Sequence, residues 1–152
     1  MDLELRQKIN TTLVKFFNEI MDLEEKAIIT DEFQDISNND MHIIEAIGLG
    51  EGNRMSVIAK KLNITVGSLT TSMNALVHKG YAARQRSEKD RRVVNIYLLE
   101  KGIAAYKHHE DYHRRMTDAL VERMTREELE TWVKSFEALH EFFYSEAKHK
   151  RK

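Results

Sequence analysis

Apolar residues recur at three- and four-residue steps from the start of the chain. Leu5, Ile9, Leu13, Phe16, Ile20, Leu23 and Ala27 draw one stripe, which predicts a helix running to about Ile29. Ser37-Asn-Asn-Asp40 resembles a helix-start signal; Met41, Ile44 and Ile47 follow on one face, and Gly48 and Gly50 end that element. A third pattern starts near Ser56 with Val57, Ile58, Ala59 and Leu62 and breaks at Asn63-Ile64-Thr65. Thr65 can cap a second short helix running to Val77 or Lys79, with Gly80 placed as its stop. The pattern then changes. Tyr81-Ala82-Ala83 and the β-branched and aromatic run Val93 to Leu98 flank a polar turn, Ser87 to Asp90, which describes a hairpin. Helical spacing returns from Glu100 to Met124, with Tyr106, His109, His113, Met116, Leu120 and Met124 on one stripe. Thr125-Arg-Glu-Glu128 reads as a capping box for a last helix whose buried face would carry Leu129, Trp132, Phe136, Leu139 and Phe143, before a basic tail from Lys148 to Lys152.

Two short helices followed at once by a hairpin make a winged helix-turn-helix. The expected fold is mostly α with a small β-wing, in one chain of 152 residues: a lobe over 36–99, with helices in 1–35 and 100–147 as dimerisation arms. Arms this apolar, on a chain whose middle has its own core, are best covered by a second copy, so a homodimer is expected.

Composition narrows the picture. Average usage would give roughly seven or eight prolines in a chain of this length; there is none, which leaves long helices uninterrupted. The absence of cysteine excludes disulfides, thiol catalysis and cysteine-bound zinc. Without a signal peptide or long apolar run, the expectation is a soluble cytoplasmic protein with no membrane partner. Net charge is −1, so the whole molecule is not a basic body. Its charges are segregated, however: Lys79 to Lys101 holds seven Lys or Arg against three Asp or Glu, whereas Asp22 to Glu51 is acidic.

That segregation gives the hairpin a cationic tip, and a cationic tip suits a polyanion. On the helix after Thr65, Leu69, Met73 and Leu76 fall in one arc that must face the core. Opposite lie Gly67, Ser68, Thr71, Asn74 and His78, with Thr70 at the flank, a short-polar face where a surface helix ordinarily carries long charges. Such a face suits close entry into a DNA major groove, where Asn can bond adenine and Ser or Thr can meet several base edges. Ser56, Lys60 and Lys61 on the preceding helix would hold phosphates, while Arg91 and Arg92, with Arg84 and Arg86 behind them, would reach a minor groove. Asp90 could pair with Arg86 or Arg92 and fix the tip. The same features would also fit an ordinary polar surface, or a winged helix used for protein contacts. No His-Glu-x-x-His helix, glycine-rich phosphate loop or nucleophile motif is present, so an enzyme is not expected. His109 and His113, four apart on one helical face, have a spacing that lets two imidazoles meet one metal ion, with His42 and Glu24 available to complete the set; the simpler reading is of buried or interfacial histidines bonded to backbone or carboxylates, and no cofactor is required.

Met55 to Thr65, Leu76-Val-His-Lys-Gly80-Tyr81, Asp90-Arg91-Arg92 and the exit Leu98 to Gly102 together resemble the MarR family of transcriptional regulators over essentially the whole chain. Within it, Ile64 to Ser72 and Arg86 to Val94 are most similar to the repressors of fatty-acid biosynthesis genes. The resemblance implies a dimer on double-stranded DNA bearing an inverted repeat, with long-chain acyl groups on acyl carrier protein as corepressor. Phe16, Ile20, Met41, Ile44, Tyr106 and Met116 would then line an acyl tunnel, or else be plain core. Glu24, His42, His109 and His113 resemble the zinc site of a metal-sensing branch, which implies zinc response as the alternative. One departure is Leu99, where the family usually has a Thr that caps the next helix.

Overall fold

The computed structural model describes residues 2–149; Lys150 to Lys152 of the basic tail lie outside them. Helix α1, Leu3–Ile28, opens on Asp2, whose carboxylate accepts the Glu4 N–H at 3.0 Å. Helix α2, Asn38–Ile47, begins with a reciprocal capping box: Ser37 Oγ accepts the Asp40 N–H and Asp40 accepts the Ser37 N–H. Helices α3, Met55–Lys61, and α4, Val66–His78, form the helix-turn-helix. The turn between them rests on Asn63, whose φ of 55° lets the Asn63 and Ile64 N–H groups close back on Lys60 and Ala59. This is a Schellman ending in which asparagine stands where glycine is usual.

Strands β1, Asn53–Arg54, β2, Ala82–Arg86, and β3, Val94–Leu98, make an antiparallel sheet in the order β1-β3-β2. The hairpin was legible in the sequence, but β1 was not, because two residues are too few to carry a periodicity. What admits β1 is Gly52, with φ 73°: a Cβ there would stand 1.8 Å from the Ile96 carbonyl oxygen. Helix α5, Glu100–Val121, and helix α6, Arg126–His149, follow, the latter with the expected box, Thr125 N–H to Glu128 at 2.7 Å and Glu128 N–H to Thr125 Oγ1 at 3.3 Å.

The chain divides into two compact units between Tyr112 and His113, inside α5. In the first, α2, α3, α4 and the sheet enclose Met41, Ile44, Ile58, Leu69, Met73, Leu76, Tyr81 and Ile96, each 0% exposed. Each such side chain contributes about 1.5–3 kcal/mol through removal from water. Met41 and Ile44 thus belong to this core, and Tyr106 packs against it. Phe16 is 41% and Met116 43% exposed, so the six residues read as one tunnel or one core do not share a single environment.

The terminal helices differ from their expected burial. Of α1 only Ile28 is buried, and Trp132, Phe136 and Phe143 on the stripe of α6 stay exposed in the single chain. Their spacing is amphipathic, yet a stripe is buried only if something covers it. No described helix is long and apolar enough to cross a membrane.

Candidate nucleic-acid interface

Helix α4 is set by its buried arc. With Leu69, Met73 and Leu76 fully enclosed, Gly67, Ser68, Thr70, Thr71, Asn74 and His78 are all exposed, as the spacing requires. Two hydroxyls are already engaged. Thr65 Oγ1 caps the helix by accepting the Ser68 N–H at 3.1 Å and lies 2.8 Å from Ser68 Oγ, while Thr70 Oγ1 donates to the Val66 carbonyl at 2.7 Å. Ser56 and Lys60 are exposed on α3. Lys61 departs from its expected role: its ammonium donates to the Ala46 carbonyl near the end of α2, a favourable position for a cation at a helix C-terminus.

The wing carries Arg84 and Arg86 on β2 and Arg91 and Arg92 in the turn, all exposed. Asp90 does orient this tip, but by another route than pairing with a guanidinium. Its Oδ1 accepts the Arg92 backbone N–H at 2.9 Å, its own N–H reaches Ser87 Oγ at 3.4 Å, and its carbonyl accepts the Val93 N–H at 2.9 Å. Among the described residues no ion pair joins Asp90 to Arg86 or Arg92, so the carboxylate shapes the turn and leaves both guanidinium groups free for a ligand. Arg84 leans the other way: its Nη2 donates to Asn74 Oδ1 on α4, making the outer face of α4 and the wing one continuous surface.

The root of the wing is held by Tyr81, which the sequence placed at the start of the hairpin, through partners that the sequence did not assign to it. Tyr81 is fully buried, and its hydroxyl donates to Asp35 Oδ1 at 2.6 Å; Lys101 of α5 donates to Asp35 Oδ2 at 2.8 Å and stands 4.2 Å from the centre of the Tyr81 ring. The Lys101 and Tyr81 bonds hold the Asp35 carboxyl below its ordinary value, while burial first and the hydrogen bond to Asp35 second push the Tyr81 hydroxyl up. Leu99 lacks a capping hydroxyl, and the chain is secured there by main chain: the Leu99 N–H donates to the Tyr81 carbonyl at 3.0 Å and its own carbonyl accepts the Ile103 N–H at 2.8 Å.

The candidate metal ligands are brought together in part. His109 is 2% exposed, its Nδ1 stands 3.7 Å from Glu45 Oε2, and His42 Nδ1 stands 3.9 Å from the same oxygen. Glu45 was missed, although it lies three residues after His42 on α2 and so shares its face. Glu24 accepts from Asn38 Nδ2 at 3.2 Å and has a ligand atom within 4.8 Å of His109. His113 follows His109 by one turn along α5.

Residues 26–108 match the family of SarA/Rot transcriptional regulators. The HTH-type transcriptional regulator YwhA of Bacillus subtilis (strain 168) is 33% identical over 76 residues, which span 50% of this chain and 55% of YwhA. The HTH-type regulator YpoP of the same organism is 26% identical over 139 residues, 90% of this chain and 94% of YpoP. Streptococcus pneumoniae FabT, solved in complex with DNA, is 36% identical and superposes with a TM-score of 0.80 over 92% of this chain and 98% of its own. The MarR family regulator SP03579 shares the fold, with a TM-score of 0.73 at 18% identity over 95% of this chain and 93% of its own. With its hairpin wing, its helix-turn-helix and these relatives, the chain belongs to the SarA/Rot transcriptional regulators, DNA-binding winged-helix proteins of MarR type.

Proposed function

We propose that two copies of the chain form a repressor on an inverted-repeat operator. Gly67, Ser68, Thr70, Thr71 and Asn74 of α4 read the major groove, Ser56 and Lys60 meet phosphates, and Arg86, Arg91 and Arg92 of the wing enter the adjacent minor groove, with Asp90 shaping their turn. The observation that carries this reading is the Arg84–Asn74 contact, because it joins an uncharged helix face to a cationic wing as one surface. Homodimerisation is supported by the exposed apolar stripes of α1 and α6, too extensive to be left in water. Half-sites on one face of a duplex lie about 34 Å apart, so an effector that alters the angle between two lobes alters whether both can dock.

The regulated genes are, on this proposal, those of fatty-acid biosynthesis, with a long-chain acyl group on acyl carrier protein as corepressor. Support comes from the resemblance of Ile64 to Ser72 and Arg86 to Val94 to that branch, and from the 36% identity to FabT. Zinc response is a second reading, favoured by the His42, Glu45 and His109 cluster. Two ligands of one tetrahedral zinc stand about 3.3 Å apart, close to the 3.7 and 3.9 Å found here. An electrophoretic mobility shift on an inverted-repeat operator, with long-chain acyl-acyl carrier protein and separately with zinc, decides between them. Tighter binding with the acyl carrier supports the first, tighter binding with zinc the second, and no binding under any condition refutes the repressor reading in favour of a protein-contact module.

A further inference from the structure

An asparagine amide in water presents its acceptor oxygen and its donor amino group in either orientation. Asn74 does not have that freedom. Strand β2 alternates so that Ala82, Arg84 and Arg86 share one face, and Ala82 is buried at 1% exposure, which turns that face toward the body of the lobe. Arg84 therefore reaches over α4, and its Nη2 meets Asn74 Oδ1. A guanidinium has donors only, so the reversed amide would set N–H against N–H; the contact permits one of the two flips.

We infer that Arg84 is a specificity-positioning residue: by holding Oδ1, it turns the Asn74 amino group outward and makes this position of α4 a reader of base acceptors. The bidentate contact of asparagine with adenine needs Oδ1 and Nδ2 side by side on the base, accepting from N6 and donating to N7. With Oδ1 drawn to the wing, Nδ2 is left to make a single donated bond, to guanine O6 or N7 or to thymine O4; adenine N7 accepts it too, but the N6 amino group beside it is then left without an acceptor, which disfavours adenine. The other guanidinium N–H groups of Arg84 remain for phosphate, which secures the pair once DNA is bound. This rests on the proposed entry of α4 into the major groove and adds to it the class of base that Asn74 selects.

The test is selection from a randomised-operator library by the full-length chain, by Arg84→Met, by Asn74→Ala and by the double variant. In the wild type, one base pair per half-site should show a guanine or thymine preference that Asn74→Ala abolishes. Releasing the amide by Arg84→Met should raise adenine at that pair by about tenfold relative to wild type, the size of one good base contact. In the Asn74→Ala background, Arg84→Met should weaken all sequences alike. The inference is overturned if the wild type prefers adenine at the Asn74-dependent pair, if Arg84→Met alone weakens all sequences alike, or if it shifts base preference equally in both backgrounds. Those results leave the groove reading standing, whereas a wild type that selects no sequence removes both. A second measurement needs no variant: in the free protein, Arg84 guanidinium protons should exchange with water more slowly than those of Arg91, and equal rates would eliminate the contact.

Discussion

Gly102→Ala separates helix propensity from tertiary contact, because the two predict opposite signs. Alanine in place of glycine within a helix is favourable by about 0.8–1 kcal/mol from propensity alone. Gly102 lies in the first turn of α5, where a Cβ would stand 2.0 Å from the Tyr81 carbonyl oxygen, 3.0 Å from its carbonyl carbon and 3.1 Å from Leu98 Cδ2. The oxygen is main chain and cannot swing aside. It also accepts the Leu99 N–H, and the Tyr81 side chain is pinned by full burial and by its bond to Asp35. Relief therefore requires moving α5 away from the wing root. Overpacking costs about 1–3 kcal/mol and a strained buried hydrogen bond about 1–2 more, so the net after propensity is roughly 1–4 kcal/mol of destabilisation. For a chain of this size that lowers the thermal midpoint by about 2–16 °C. The assay is thermal unfolding followed by far-ultraviolet circular dichroism at one fixed protomer concentration, since the proposed dimerisation would make the midpoint concentration-dependent. A variant as stable as the wild type, or more so, would refute the claim that α5 is seated against the Tyr81 carbonyl.

Asp35→Asn should flatten the acid limb of stability: a carboxyl whose folded value is lowered contributes stability above its ordinary value of 3.8 and loses it as pH falls through the lower folded value, so a wild-type-like decline below about pH 4 in the variant would contradict the Tyr81–Asp35–Lys101 assignment. Arg92→Ala should leave folding intact and weaken operator binding about tenfold at fixed salt; unchanged affinity in a fluorescence-anisotropy titration would rule out the wing contact. Asn63→Ala should cost about 1 kcal/mol, because alanine resists the left-handed φ of 55°, while Asn63→Gly should be near neutral or stabilising in urea unfolding.

The parts of this protein that the sequence determined are those whose physics is finished within a turn or two of chain. Ser37 with Asp40, Thr65 with Ser68 and Thr125 with Glu128 cap their helices as the spacing predicts, because each partner lies three residues away. The outward face of α4 was likewise legible, since Leu69, Met73 and Leu76 leave only one side to solvent. The wing announced itself by β-branched and aromatic residues around a polar turn.

What the tertiary structure alone decided is which of these local pieces touch. Tyr81 meets Asp35 across 46 residues and Lys101 meets Asp35 across 66, distances over which no periodicity carries information. Asp90 chose the Arg92 N–H over a guanidinium, and Lys61 chose a helix end over solvent, because the turn and the packing of α2 on α3 put those partners nearer. Arg84 and Asn74 were each visible as polar residues suited to DNA, yet their contact depends on how β2 lies over α4. Side-chain type and spacing specify which groups can bond; the angles at which packed elements cross specify which do, and here that distinction separates a polar face proposed to meet DNA from the particular base edge it would read.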